Sequence, residues 1–319
     1  MKKTVLISSG LYADSFAMLE NDFRVLKPKE GCHFSREELL NRIPDCDALL
    51  SMFTCKVDKE LIAAAPNLKI ISNFGVGYNN IDVAFASQQG IVVTNTPYPV
   101  TEPTAELTMA LLLALTRRLS ELDILIRTPE KVRWGVMENI GTTVYGKTLG
   151  IVGMGRIGQA VARRAVASGM HIVYYSRHRV SEDVEKQYNA TYLPLDDLLR
   201  TSDVVSLHIP LTEETHHLLS AEKLRLMKPS ALLINTARGA VVDEQALATA
   251  LHEGRIGGAA LDVYEHEPAI TPELLTAPHT LLVPHIGTAT RETRYEMAAA
   301  ASLNVINFFA GKPITQVNK

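Results

Sequence analysis

An apolar run starting at Thr148, glycines at positions 153, 155 and 158, a helix-forming stretch and a second apolar run ending at Tyr175 follow one another without interruption. Two strands joined by a helix lie parallel, and a parallel sheet needs helices to cover it. Each glycine meets a separate physical need. Gly153 allows the tight turn, Gly155 lets the backbone approach a pyrophosphate, and Gly158 lets helix pack on strand, with the helix N-terminus facing the anion. The stretch therefore reads as a dinucleotide-binding unit.

In the NAD version of this unit a carboxylate about 20 residues further on takes the adenosine ribose hydroxyls. Here the place holds Ser176, followed by Arg177, His178 and Arg179. A hydroxyl and two planar cations suit a 2′-phosphate, which a carboxylate would repel. NADP(H) is the expected cofactor, with NAD(H) possible; if both arginines are solvated loop residues, NADH binds nearly as well.

The same alternation extends over the chain. Apolar runs at 5–8, 23–26, 48–51, 70–73 and 91–94 precede a stretch with three prolines and one long helix, 101–127, capped by Thr101 with Pro103 in its first turn. A second series starts at Thr148 and continues at 172–175, 204–207, 232–235, 258–261 and 281–283, and a last helix covers 291–309. The expected class is α/β: two doubly wound parallel-sheet domains, Rossmann-like or flavodoxin-like, with a cleft between them as the natural binding site. Residues 1–100 plus 288–319 would form one domain and 101–287 the other.

A chain of 319 residues with 46% hydrophobic content can bury a core of that extent. A formal net charge of −3 supplies no basic field for a nucleic-acid backbone or an acidic membrane. Cys32, Cys46 and Cys55 are too few and too scattered for a disulfide framework or a zinc cluster, so a reducing cytoplasm is expected. The N-terminal apolar run followed by Ser-Ser-Gly reads as a first strand and not a signal peptide, and no run approaches a membrane-spanning length. His216, His217 and His266 fit no metal-ligand spacing; they read as solvent-facing or ribose-side histidines, and no metal is expected. The MALLLAL segment, 109–115, is flanked by Glu106, Arg117 and Arg118 and reads as a buried helix. Its apolar face exceeds what one small domain covers, so with the loop to Lys147 it reads as a dimerisation element.

Three strand ends in the second series carry chemistry. Arg238 follows the run at 232–235, Glu267 stands before Pro268 after the run at 258–261, and His285 follows the run at 281–283. Singly they read as a surface ion pair, a turn residue and an interior histidine. Together they place a guanidinium, an acid and an imidazole at consecutive strand ends, where open α/β sheets bind ligands.

With the glycine turn, the Asn235-Thr-Ala-Arg-Gly239 box, Glu267-Pro268 and Pro284-His285-Ile286-Gly287, the whole chain resembles the D-isomer-specific 2-hydroxyacid dehydrogenases. The stretches at 72–97 and 173–179 are most similar to the glyoxylate/hydroxypyruvate reductase branch, which includes 2-ketogluconate reductases. The resemblance implies hydride transfer from the nicotinamide to C2 of a small 2-oxo acid, giving a D-2-hydroxy acid, with His285 as general acid. It implies that Glu267 orients the imidazole and favours its charged form, that Arg238 binds the substrate carboxylate and polarises the ketone, and that the Val76 and Gly77 amides hold the other carboxylate oxygen. Met52 and Phe53 would wall the substrate side chain. Matching motifs further imply cofactor contacts at Arg156, Ile157, Thr236, Ala237, Asp262, Gly287 and His285, with His208 and Pro210 near the adenosine and Thr215 near the phosphates. Trp134 either reaches a neighbouring subunit's site or joins a dimer core.

Within the resemblance, formate dehydrogenases imply a glutamine partner for the histidine, and phosphoglycerate dehydrogenases imply an acidic ribose reader and often further domains; Glu267 and Ser176 speak against both. A dinucleotide-sensing scaffold, which exists in this family with the same three residues, is the reading from another class. Turnover of any 2-oxo acid excludes it.

Overall fold

The computed structural model describes residues 2–318. They form two compact units: the chain up to Val100 with the stretch from Thr288 onward, and Thr101–Gly287.

In the first unit β1 (Thr4–Ile7), β2 (Arg24–Leu26), β3 (Ala48–Met52), β4 (Ile70–Phe74) and β5 (Val92–Thr94) stand in the order β2-β1-β3-β4-β5, every pair parallel. β1, β3 and β4 are buried throughout, which is why they read as mainly apolar runs without a polar alternation. Short helices α1 (Ala17–Glu20), α2 (Arg36–Arg42), α3 (Lys59–Ala63) and α4 (Val83–Gln88) make the crossovers. The last three start on side-chain caps. Ser35 accepts from the Glu38 amide, Asp58 from that of Leu61 and Asp82 from that of Phe85.

The second unit opens with α5 (Thr101–Thr116) and α6 (Leu119–Ile126). There follow β6 (Thr148–Val152), α7 (Arg156–Ala167), β7 (His171–Tyr175), α8 (Glu182–Tyr188), β8 (Ala190–Tyr192), α9 (Leu195–Thr201), β9 (Val204–Leu207), α10 (Ala221–Leu224), β10 (Leu232–Asn235), α11 (Glu244–His252), β11 (Gly258–Leu261) and β12 (Thr280–Leu282). The sheet has seven strands in the order β12-β11-β10-β9-β6-β7-β8, all pairs parallel. From β6 the chain runs outward to β8, then crosses to β9 on the other side. The switch point of this doubly wound sheet lies between the carboxyl ends of β6 and β9.

The chain finally returns to the first unit as α12 (Arg291–Phe309), whose Met297, Ala298, Ala301 and Val305 bury against Val5, Leu50 and Ile70. Ser72 of β4 donates to the Ala301 carbonyl at 2.9 Å.

Two expectations are corrected here. The helix expected over 101–127 is broken: Arg118 takes a left-handed φ of 53° and α6 restarts after it. The Thr116 carbonyl released by the break accepts the Thr142 amide at 2.8 Å, so a returning loop supplies the bond that the helix gives up. The edge strand β8, three residues long, is too short to show a period in sequence.

Candidate active site

β10, β11 and β12 are neighbours in the second sheet, and the loops at their carboxyl ends bring Arg238, Glu267 and His285 together. His285 Nδ1 lies 2.7 Å from Glu267 Oε2, with both side chains about one-third exposed, 31% and 30%. Burial pushes the Glu267 pKa up. The His285 hydrogen bond and charge, the Tyr264 amide donating to Oε1 at 3.0 Å and the Arg238 charge outweigh it, so the carboxyl stays below its usual value. The Arg238 guanidinium is desolvated, which lowers its pKa against the opposing charge of Glu267. One of its prongs, Nη1, donates to the Ala237 carbonyl at 2.6 Å. The carboxylate on Nδ1 fixes the orientation of the imidazole ring.

The turns that carry these groups are braced by side chains. Asn235 accepts from the Ala237 amide and donates to the Arg238 carbonyl, each at 3.0 Å. At position 239 only glycine fits, because a Cβ would fall 1.8 Å from the Tyr264 carbonyl carbon. Buried Glu244 accepts from the Glu265 amide and from Thr271 Oγ1 at 2.5 and 2.6 Å, which fixes both sides of Glu267. Asp262, expected at a cofactor carboxamide, holds the Ile286 and Gly287 amides at 2.6 and 2.8 Å. Its two oxygens pin the turn that carries His285, itself at φ 52°. Thr236 likewise spends its hydroxyl on Thr108 of α5, at 2.9 Å.

At the switch point the glycines meet the needs read from sequence. Gly153 has φ 102°, and a Cβ there would meet the His208 carbonyl oxygen at 2.6 Å. One at Gly158 would meet the Gly153 oxygen at 2.1 Å, whereas one at Gly155 would meet nothing within 4 Å. Gly155 caps α7 with no side-chain bond, so the amides at Arg156 and Ile157 begin an uncapped helix at an open cradle. That space and those donors fit a pyrophosphate. The expected contact at His208 takes a different form: the ring is buried, its Nε2 pairs with Ser206 at 2.8 Å, and burial drives its pKa down to about 3. Its Nδ1 has no partner among the described residues, and Pro210 beyond it is exposed. Thr215, expected at the phosphates, closes its own turn by donating to the Pro210 carbonyl at 2.7 Å.

The region expected to read the ribose is partly spoken for. Ser176 Oγ accepts the Met154 amide at 2.7 Å and so ties the glycine turn to β7. Arg179, expected at the 2′-phosphate, is exposed and forks onto Glu185 of α8, Nε to Oε1 and Nη2 to Oε2, both at 2.8 Å. Tyr174 donates to the same carboxylate at 2.6 Å. Arg177 and His178 are exposed.

In the first unit the loop after β4 is shaped from within. Asn73 donates to the Gly75 and Gly77 carbonyls at 3.1 and 2.8 Å, Asn95 to that of Val76 at 2.9 Å, and the Thr96 amide to Gly75 at 3.0 Å. With the carbonyls held, the Val76 and Gly77 amides form the other face of the loop. Phe53 is 51% exposed, but Met52, expected as a pocket wall, is 4% exposed and packs with Phe74 and Met297 as core.

Of the histidines set aside in sequence, His217 departs from the expectation. His217 Nε2 pairs with Glu265 Oε1 at 2.7 Å, the His216 ring stacks on it at 4.0 Å, and the ligand atoms of the three residues lie within 4.8 Å of one another. His217 is therefore half-buried in a hydrogen-bonded contact with Glu265, while His216 and His266 are exposed as expected.

Positioning residues such as Asp262, Glu244, Asn235 and Asn73 gave little signal as a group. Asn73, Asn235 and Asp262 stood in stretches already marked, each at or just past the end of an expected strand.

Comparison with known proteins gives a consistent result. Residues 109–287 match the model of the D-isomer specific 2-hydroxyacid dehydrogenase NAD binding domain. The chain is 47% identical over 324 aligned residues to a glyoxylate reductase of Thermococcus onnurineus, covering 100% of this chain and 97% of that protein. Among solved structures, a glyoxylate reductase from Paecilomyes thermophila is similar at TM-score 0.89 and 36% identity, covering 99% and 98% of the two chains. An NADPH-dependent glyoxylate/hydroxypyruvate reductase from Sinorhizobium meliloti, solved with NADP and malonate, is similar at 0.87 and 33%, covering 99% and 97%.

Proposed function

Since the chain belongs to the D-isomer specific 2-hydroxyacid dehydrogenase family and is an oxidoreductase of that family, we propose that it reduces glyoxylate and hydroxypyruvate to D-2-hydroxy acids, with NADPH preferred over NADH. The observation that carries the reading is the 2.7 Å contact between His285 and Glu267 on the sheet edge that also bears Arg238. The relatives named glyoxylate reductase, and the NADPH-dependent one among the solved structures, support the substrate and the cofactor.

When bound, the nicotinamide supplies a hydride to C2 of the 2-oxo acid. The protein's own groups do the rest. Arg238 grips the substrate carboxylate and draws electron density from the ketone, and the Val76 and Gly77 amides of the first unit are donors suited to a carboxylate oxygen. His285 donates a proton from Nε2 to the carbonyl oxygen as it becomes a hydroxyl, while Glu267 on Nδ1 fixes the ring and stabilises its charged form. Gly155 and the α7 amides hold the pyrophosphate, and Ser176 with Arg177 reads the 2′-phosphate.

The exposed Ile124, Trp134, Val136, Met137 and Tyr145 on α6 and the loop after it support a homodimer through this face. Three free thiols suit a reducing cytoplasm. Among the described residues no helix is long and apolar enough to cross a membrane.

The test is cofactor oxidation with glyoxylate, hydroxypyruvate and 2-ketogluconate, each with NADPH and NADH at equal concentration. Fast turnover of the two smaller acids with NADPH is the expected result. A preference for 2-ketogluconate would move the chain to that branch, and no turnover with any acid would leave the sensing scaffold.

A further inference from the structure

Arg294 lies in the first turns of α12, partly buried, with its guanidinium carbon 5.9 Å from the centre of the Phe74 ring. Burial lowers its pKa and only Tyr12 acts against that; among the described residues no carboxylate pairs with it. The nearby acid, Asp14, accepts the Tyr295 hydroxyl at 2.7 Å and feels the charge of Arg291 instead. A desolvated guanidinium left without a counter-charge is costly, and its planar fork is matched to a carboxylate.

Its surroundings show where such an anion would belong. Phe74 ends β4 and is followed at once by the Gly75-Val76-Gly77 loop, Met52 ends β3 opposite Phe74 in register, and Tyr12 lies in the loop after β1. All stand at the carboxyl edge of the five-stranded sheet, where open α/β sheets take ligands. The amides of that loop are assigned above to the carboxylate at C1, so a cation beside it meets whatever the substrate carries further along.

We propose that Arg294 is a specificity residue that binds a second electronegative group of the substrate, a carboxylate in preference to a hydroxyl, so that the substrates extend to 2-oxo dicarboxylic acids. The inference rests on the 2-oxo acid reading given above. Glyoxylate has no such group and gains nothing from Arg294.

The experiment compares wild type, Arg294→Met and Arg294→Lys on glyoxylate, hydroxypyruvate and oxaloacetate, and measures malonate binding to each by calorimetry. Arg294→Met is expected to lower kcat/KM for oxaloacetate by about 10- to 100-fold, the scale of a charge-assisted contact, and for hydroxypyruvate by less. Glyoxylate should stay within about twofold, malonate should weaken in step with oxaloacetate, and Arg294→Lys, which keeps the charge, should recover part of both. An equal loss on all three acids would mean that Arg294 only supports the Phe74 loop, and would overturn the proposal. So would unchanged oxaloacetate turnover, or wild type that neither turns over oxaloacetate nor binds malonate. If wild type turns over no acid, the reductase reading fails by itself; malonate affinity, lost or kept in Arg294→Met, still decides the role of Arg294.

Discussion

Arg179 and Glu185 face each other as a two-pronged ion pair, with both N–O distances at 2.8 Å. The arginine that looked equivalent to Arg177 in sequence thus has an internal partner. Arg177→Ala should raise the KM for NADPH by about 10- to 100-fold and that for NADH by less than about twofold. Arg179→Ala should have the smaller effect, and Glu185→Gln, which releases the fork, should increase the preference for NADPH. Steady-state kinetics with both cofactors checks this; equal effects of Arg177→Ala on the two would remove Arg177 from the phosphate.

The same pair makes a pH prediction. Arg179 first, then the Tyr174 hydrogen bond, lower the Glu185 pKa from 4.5 to about 2. A carboxyl with a depressed folded pKa contributes stability that is complete above its unfolded value and is lost as pH falls toward the folded one. The difference in Tm between wild type and Glu185→Gln should therefore be constant from pH 7 to about pH 5 and shrink below 4.5. A difference that stays level down to pH 3 in thermal melts would show that the pair adds nothing to stability.

His285→Ala should lower turnover by about 10²–10⁴, the usual contribution of a general acid. Dinucleotide affinity, measured by fluorescence titration, should change by less than about threefold. Retained turnover would make His285 a structural residue.

Gly239→Ala should destabilise the protein by about 1–3 kcal/mol, the usual cost of overpacking. The new Cβ would lie 1.8 Å from the Tyr264 carbonyl carbon, and a main chain cannot swing aside as a side chain can. Activity should fall as well, because the displaced backbone leads to Glu267 two residues beyond Glu265. Chemical denaturation of variant and wild type measures the first effect; equal stabilities would mean that the loop yields freely.

Much of this protein was legible in its residues alone, and the reason is local. Central strands of a parallel sheet are buried on both faces, so β3, β4, β9 and β10 appear as mainly apolar runs without a polar alternation. The glycine turn is written in residue types that its own backbone requires between a strand and a helix, and Arg238, Glu267 and His285 each follow a strand at a short distance. What the tertiary structure decided depends on pairs far apart in the chain. Period and propensity cannot show that Thr142 takes the carbonyl at which the long helix breaks, or that Met52 of β3 is sealed by Met297 of α12. The commitment of Asp262 to the turn holding His285, and of Arg179 to Glu185, is of the same kind. Sequence determined which groups stand at the ends of the strands; folding decided, through hydrogen bonds between distant segments, which of them are already engaged.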